Sequence, residues 1–165
     1  MDEQLLFTLP VLIFGVIAVL FSAWLARDVM SRDTGTAEMQ DIASRIFQGA
    51  IAYLNRQYRT IGSLAIVVAI VLGVLVYIFE REHQLARGVI TALSFLLGAI
   101  LSGLSGFIGM YVAVRSNIRT ASAARRSLGE ALTIALRGGA VSGFLVVALG
   151  LLGVLGVYWV VYGFA

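Results

Sequence analysis

The chain has 165 residues, 60% of them hydrophobic and only 13% charged, with no cysteine, one histidine and a formal net charge of +3. At a mean hydropathy of +0.97, so much apolar surface cannot be hidden inside a water-soluble fold of this size, and the composition specifies an integral membrane protein. The missing cysteine excludes disulfides, thiolate metal sites and cysteine nucleophiles, and the basic residues, all arginine, flank apolar runs instead of coating a soluble face, which argues against nucleic acid as a partner.

The first residues carry Asp2 and Glu3 and lack the positive start of a secretory signal. The apolar run over residues 5–26 is therefore read as a retained span one, close to the ~20 residues that cross a hydrocarbon core. Pro10 falls in its first turns, where a missing N–H is tolerated, and Trp24 suits an interfacial anchor at the far end. Residues 27–60 form a polar segment containing an amphipathic helix over 36–60. Thr36 reads as its cap and Glu38 as a first-turn carboxylate favoured by the helix dipole. Met39, Ile42, Ala43, Ile46, Phe47, Ala50, Leu54 and Tyr58 then fall on one stripe, with Asp41, Arg45 and Gln48 facing away; Asp41 and Arg45 are spaced to pair. No breaker separates this helix from span two, residues 61–79. The pattern predicts one helix of about forty residues, ~60 Å at ~1.5 Å per residue, half of which must leave the hydrocarbon core or lie along its surface.

Residues 80–87 make a short polar hairpin with Glu80, Arg81, Glu82, His83 and Arg87; a lone histidine among charges reads as solvated surface rather than a pH sensor. Span three, residues 88–114, carries small residues every fourth position, Ser94, Gly98, Ser102, Gly106 in one row and Ser105, Gly109, Ala113 in another. Lipid supplies no hydrophobic drive between helices, so such rows mark where a neighbour packs closely. A basic segment over 115–137 leads to span four, residues 138–162, with Tyr158, Trp159 and Tyr162 at its outer interface. Ten of the twelve arginines lie in 27–59 and 115–137, which places both segments in the cytoplasm and both termini on the non-cytoplasmic side. The expected fold is all-α and polytopic, with four transmembrane helices.

Paired carboxylates, metal-ligand spacings, nucleophile triads and phosphate-cradling glycine loops are all missing from the sequence. No catalytic, cofactor-binding or metal-ligating residue is nominated. No charged residue falls inside the four sequence-defined spans, so an ion path across this segment is not expected. Arg115, Arg119 and Arg126 fit one helical face and suit a phosphate or acidic partner; topology and contact with lipid headgroups is the plainer reading.

Three stretches nevertheless carry a resemblance. GTAEMQDIASRIFQGAIAYLNRQYRTI (residues 35–61), FLLGAILSGLSGFIGMYVAVRSNIRTASAAR (95–125) and RGGAVSGFLVVALGLLG (137–153) resemble, in order and orientation, the first cytoplasmic segment, third span and fourth span of the membrane-bound, ion-pumping pyrophosphatases. The resemblance implies a parent of about sixteen spans in which this chain contributes four helices of the outer ring, a homodimer, a requirement for Mg²⁺, and hydrolysis of inorganic pyrophosphate coupled to H⁺ or Na⁺ export across a bacterial or archaeal plasma membrane. The wording of NRQYRTI and AVRSNIRTA leans toward the potassium-independent proton pumps. The family's Asp-rich substrate motifs match no position here, so no site residue is carried over and the Mg²⁺ ligands are expected elsewhere. The chain thus reads as the amino-terminal, structural part of a pyrophosphate-energised proton pump, cut just after helix four, whose partners are the bilayer and the remaining helices. The alternative is a free-standing four-span scaffold that oligomerises through its small-residue faces.

Overall fold

The computed structural model describes residues 3–80 and 84–163. His83, Arg81 and Glu82 lie outside the described residues. Four helices follow one another: α1 (Glu3–Met30), α2 (Ala37–Phe79), α3 (Gln84–Ala124) and α4 (Leu128–Gly163), each long and apolar enough to cross a membrane. No strand occurs among the described residues.

The long α2 forms as its sequence dictates. Thr36 Oγ1 accepts from the Met39 amide at 3.4 Å, Glu38 lies in the first turn, and 43 residues run to Phe79 without interruption, about 65 Å at ~1.5 Å per residue. Pro10 sits two turns inside α1, which runs through it. The segment 115–137 is not an irregular loop. α3 continues through Ala124, a three-residue turn follows, and α4 begins at Leu128, well before Gly138. The start signal is Ser127-Leu128-Gly129-Glu130: Ser127 Oγ accepts from the Glu130 amide at 3.5 Å, half of a capping box.

The helices stand in a row in the spatial order α1, α4, α3, α2. α1 packs on α4 and touches α3, α3 packs on α4 and α2, and among the described residues α1 and α2 do not pack on each other. Small residues set the approaches. A Cβ built on Gly109 would run into Ser142, one on Gly138 would lie 2.9 Å from Ser116 Cβ, and one on Gly15 would lie 2.7 Å from Leu152 Cδ2. At the far hairpin α2 and α3 cross backbone on backbone, since a Cβ on Gly88 would lie 2.7 Å from Gly73 O. The two rows of α3 differ in use. Ser105 and Gly109 are buried against α4, whereas in the other row Gly106 lies against the Tyr58 hydroxyl of α2, Gly98 meets nothing within 4 Å and Ser102 stays exposed.

Candidate functional site at the arginine-rich end

Polar side chains collect where α1 ends and α3 turns into α4. The connection between α1 and α2, residues 31–36, crosses the end of α3 and is fastened there. Gly35 takes φ +74°, a left-handed turn that glycine adopts without steric cost, and brings Asp33 under α3. The Ser122 hydroxyl donates to Asp33 Oδ2, Arg126 Nη1 reaches the same oxygen at 3.0 Å, and Arg126 Nη2 lies 3.1 Å from Glu130 Oε1. The Ser122 hydroxyl first, then the Gly35 amide and the Arg126 guanidinium, hold the Asp33 carboxyl down at about 2. Glu130 and Asp33 together push Arg126 further up from its ordinary value.

Nearer the spans, Asp28 is shared by two arginines, Arg137 Nη1 at 2.6 Å and Arg32 Nη2 at 2.7 Å. The Arg137 guanidinium also lies 6.0 Å from the Trp24 ring, within reach of a cation–π attraction. Arg119 donates to the Met30 carbonyl at 2.9 Å and to the Arg115 carbonyl at 2.7 Å, tying α3 to the end of α1. Two small cores lie behind these contacts. Leu25, Val112, Val141 and Leu145 form one, level with the Arg137–Trp24 contact, and Val29, Ala123, Ala131 and Ile134 form the other, beyond it. The Ser22 hydroxyl, fully buried, donates to Val141 O at 3.0 Å.

The three arginines that fit one face in the sequence do not converge. Arg126 lies past the end of α3 and is neutralised by Asp33 and Glu130. Arg119 is spent on carbonyls, and Arg115 lies over the rings of Phe47 and Tyr111 at 4.7 and 4.5 Å. They are interhelical fasteners, not an anion cradle. The pairing of Arg45 with Asp41 is present at 3.1 Å. Sequence reasoning missed the shared Asp28 and the Asp33 junction; a carboxylate at Asp28 immediately after a span, with Arg137 at the start of another, was the available signal.

Among the described residues no group of three His, Cys, Asp or Glu stands close enough to hold a metal ion, and Asp28 and Asp33 are already committed to arginines. These residues do not fit Mg²⁺.

Four helices long and apolar enough to cross a membrane define a multi-pass membrane protein, in which arginine–carboxylate pairs fasten the end of α1 and its connection to α4 and the turn before it. The family model for inorganic H⁺ pyrophosphatase matches residues 16–164. The chain is 49% identical over 145 residues to a K⁺-insensitive pyrophosphate-energized proton pump 2 of Moorella thermoacetica, covering 88% of this chain and 20% of the relative. It is 42% identical over 161 residues to a K⁺-insensitive pyrophosphate-energized proton pump of Methanosarcina mazei, covering 98% and 22%. A putative K⁺-stimulated pyrophosphate-energized sodium pump of Bacteroides thetaiotaomicron shares 39% over 152 residues, 92% of this chain and 20% of that one. No solved structure gives a significant match. The chain belongs to the inorganic H⁺ pyrophosphatase family, and it spans about a fifth of the length of these curated relatives.

Proposed function

We propose that this chain is the amino-terminal membrane part of a pyrophosphate-energised proton pump and that its role there is structural. What carries the reading is a match that runs through 88% and 98% of the chain to two relatives named as such pumps. Catalysis then belongs to other helices of the complete polypeptide, which bind inorganic pyrophosphate and Mg²⁺ through carboxylates that this segment does not supply. Those remaining helices and the bilayer are its partners, and the working unit is a homodimer.

The arginine-rich end is cytoplasmic and both termini of the segment lie on the other side, because an excess of arginine is retained inside. On this reading the apolar runs of residues 5–26, 61–79, 88–114 and 138–162 lie within the four membrane-crossing helices, the first parts of an outer ring in a bacterial or archaeal plasma membrane. Coupling to H⁺ without a need for K⁺ is favoured by two relatives named K⁺-insensitive at 42–49% identity, against 39% for the sodium pump.

The test is acidification of inverted membrane vesicles containing the complete gene product. Addition of pyrophosphate with Mg²⁺ is expected to acidify the lumen in K⁺-free buffer, and a protonophore to abolish the signal. Hydrolysis that appears only with K⁺, or transport of Na⁺ without acidification, moves the protein to the other branch. No hydrolysis at all rejects the pump.

A further inference from the structure

The helices disagree about where the lipid begins. On α1, α3 and α4 the apolar stretch gives way to charge at one level. Arg137 pairs with Asp28 and lies beside Trp24, Leu25 packs with Val112 and Val141, and Arg115 follows Val112 by less than a turn. On α2 the same level is occupied by Phe47, whose ring is 5.5 Å from Tyr111 and lies under Arg115. The polar part of α2 does not end there. Tyr58 donates to Gly103 O at 2.8 Å and packs edge-on against Phe107, so Arg56 and Arg59, on either side of it, stand at the depth of Gly103 to Phe107. From Arg115 to Gly103 is about 18 Å along α3 at ~1.5 Å per residue, past the middle of a ~30 Å hydrocarbon core.

At that depth the two edges of the row could not be less alike. Leu101 meets Gly153 of α4, and Gly15 of α1 meets the adjoining Leu152, so α1 near Gly15 is level with the middle of α3. There and toward the arginines α1 presents Phe14, Ile17, Leu20 and Trp24, all more than half exposed. Moving the lipid boundary to suit Arg59 would leave this apolar surface in water. Keeping it at Arg115 leaves Arg56 and Arg59, both exposed, in hydrocarbon. Their carbonyls accept from the Thr60 and Ser63 hydroxyls, but neither guanidinium has a hydrogen bond or ion pair among the described residues. Charges at such depth are held where they face protein or a polar cavity and find a counter-charge.

The geometry points to the Arg56–Arg59 face of α2 as a docking surface for a transmembrane helix that carries a carboxylate, supplied by the rest of the polypeptide, while the α1 edge faces lipid. This rests on the reading of the chain as part of a larger pump. A second copy of this segment lying parallel to the first does not meet the requirement. Its described carboxylates stand at Asp28, Asp33, Glu38, Asp41 and Glu130, at or beyond the arginine level, and at Glu80 toward the opposite end. The two arginines thus identify which side of the row turns inward.

The test uses the complete polypeptide in liposomes. Nitroxide labels on Asn55→Cys and Ser63→Cys flank Arg59 one turn away on its own face and leave the arginine in place; a label on Leu20→Cys reports the lipid-facing edge. Labels at 55 and 63 are expected to collide rarely both with oxygen, which concentrates in lipid, and with a water-soluble nickel chelate, while the label at 20 collides freely with oxygen. Oxygen collision at 55 and 63 equal to that at 20 puts lipid on this face and overturns the docking. Strong collision with the chelate puts a water-filled vestibule there and overturns it as well. Arg59→Glu is expected to reduce assembled pump by at least about ten-fold, as reversing one member of a buried pair does, with Arg59→Lys recovering most of it; equal yields for Glu and Lys count against a counter-charge. Wild-type protein without pyrophosphate-driven acidification rejects the pump itself and is read before any label is attached, so the two failures are distinct.

Discussion

α1 and α2 stand at opposite edges of the same row of helices and are held to it by different means. α1 is fixed along its length: Gly15 lies under Leu152, Ser22 bonds Val141 O, Leu25 and Val29 are buried in two separate clusters, and Asp28 is bound by Arg137. Among the described residues α3 is the one helix that α2 packs on, and α2 buries Leu54 and Ala69. Between them α2 and α3 leave a groove of about 870 Å³ beside Tyr58. Lipid offers no hydrophobic drive, so a helix is held by shape and hydrogen bonds; α2 packs along α3 but, among the described residues, makes one hydrogen bond to it, from Tyr58 to Gly103 O. The difference is that α1 is tied to its neighbours by side-chain hydrogen bonds and an ion pair, whereas α2 leaves Arg56 and Arg59 exposed, the face on which the proposed docking of a further helix rests.

The sharpest way to break that comparison is at the glycines of α3. Gly109→Leu drives a side chain into Ser142, including its backbone. It should separate α3 from α4 at a cost of about 1–3 kcal/mol or more, seen as a lower unfolding midpoint of the segment in detergent. Gly98→Leu enters open space and should leave that midpoint unchanged, while lowering the yield of the complete pump wherever a neighbouring helix covers Gly98. Equal effects of the two substitutions on the isolated segment would contradict the observed row.

A smaller loss is expected at the α1 edge from Arg137→Gln, which leaves Asp28 with Arg32 alone. Both partners are partly exposed, so about 1–2 kcal/mol is expected, below the value for a fully buried pair, and the double variant with Asp28→Asn should cost less than the sum. At the α2 edge Tyr58→Phe removes a single hydrogen bond to Gly103 O, worth about 1 kcal/mol, and should loosen the packing of α2 on α3 without disturbing α1. Cross-linking across α2 and α3, compared with α1 and α4, separates those outcomes.

The smallest effect is one of pH. The carboxyl of Asp33 is held at about 2, below the ordinary value of about 4. Its depressed value means that it stabilises the folded chain fully above pH ~4, and that this contribution is lost as pH falls from there toward about 2. Asp33→Asn should flatten the dependence of unfolding midpoint on pH in that window and leave it unaltered near neutrality in slope. A wild-type midpoint that does not fall between pH 4 and 2 would show that the Ser122, Gly35 and Arg126 contacts do not hold in solution.

Much of this architecture is legible in the sequence because its signals are local. The cap at Thr36, the uninterrupted α2, the four apolar runs and the Asp41–Arg45 pair depend on neighbours within a turn or two. The capping signal at Ser127 to Glu130 was equally local, but it lies in a stretch whose arginines suggest a loop. The arginines themselves resisted reading. Helical spacing groups Arg115, Arg119 and Arg126, yet the turn after Ala124 takes Arg126 to Asp33, Met30 O captures Arg119, and Phe47 captures Arg115.

By itself the sequence determined that the chain is helical, lives in a membrane, and resembles the ion-pumping pyrophosphatases, because composition, periodicity and motif wording are properties of residues near one another along the chain. Only the tertiary structure decided the order of the row, which of two small-residue faces is filled, and the depth of Arg56 and Arg59. Those depend on how far one helix slides along the next, and the slide is set by contacts such as Tyr58 on Gly103, Gly109 on Ser142 and Gly73 on Gly88. Each span is apolar over more length than it needs, so hydropathy alone tolerates a shift of several turns; close packing of backbones at glycine does not.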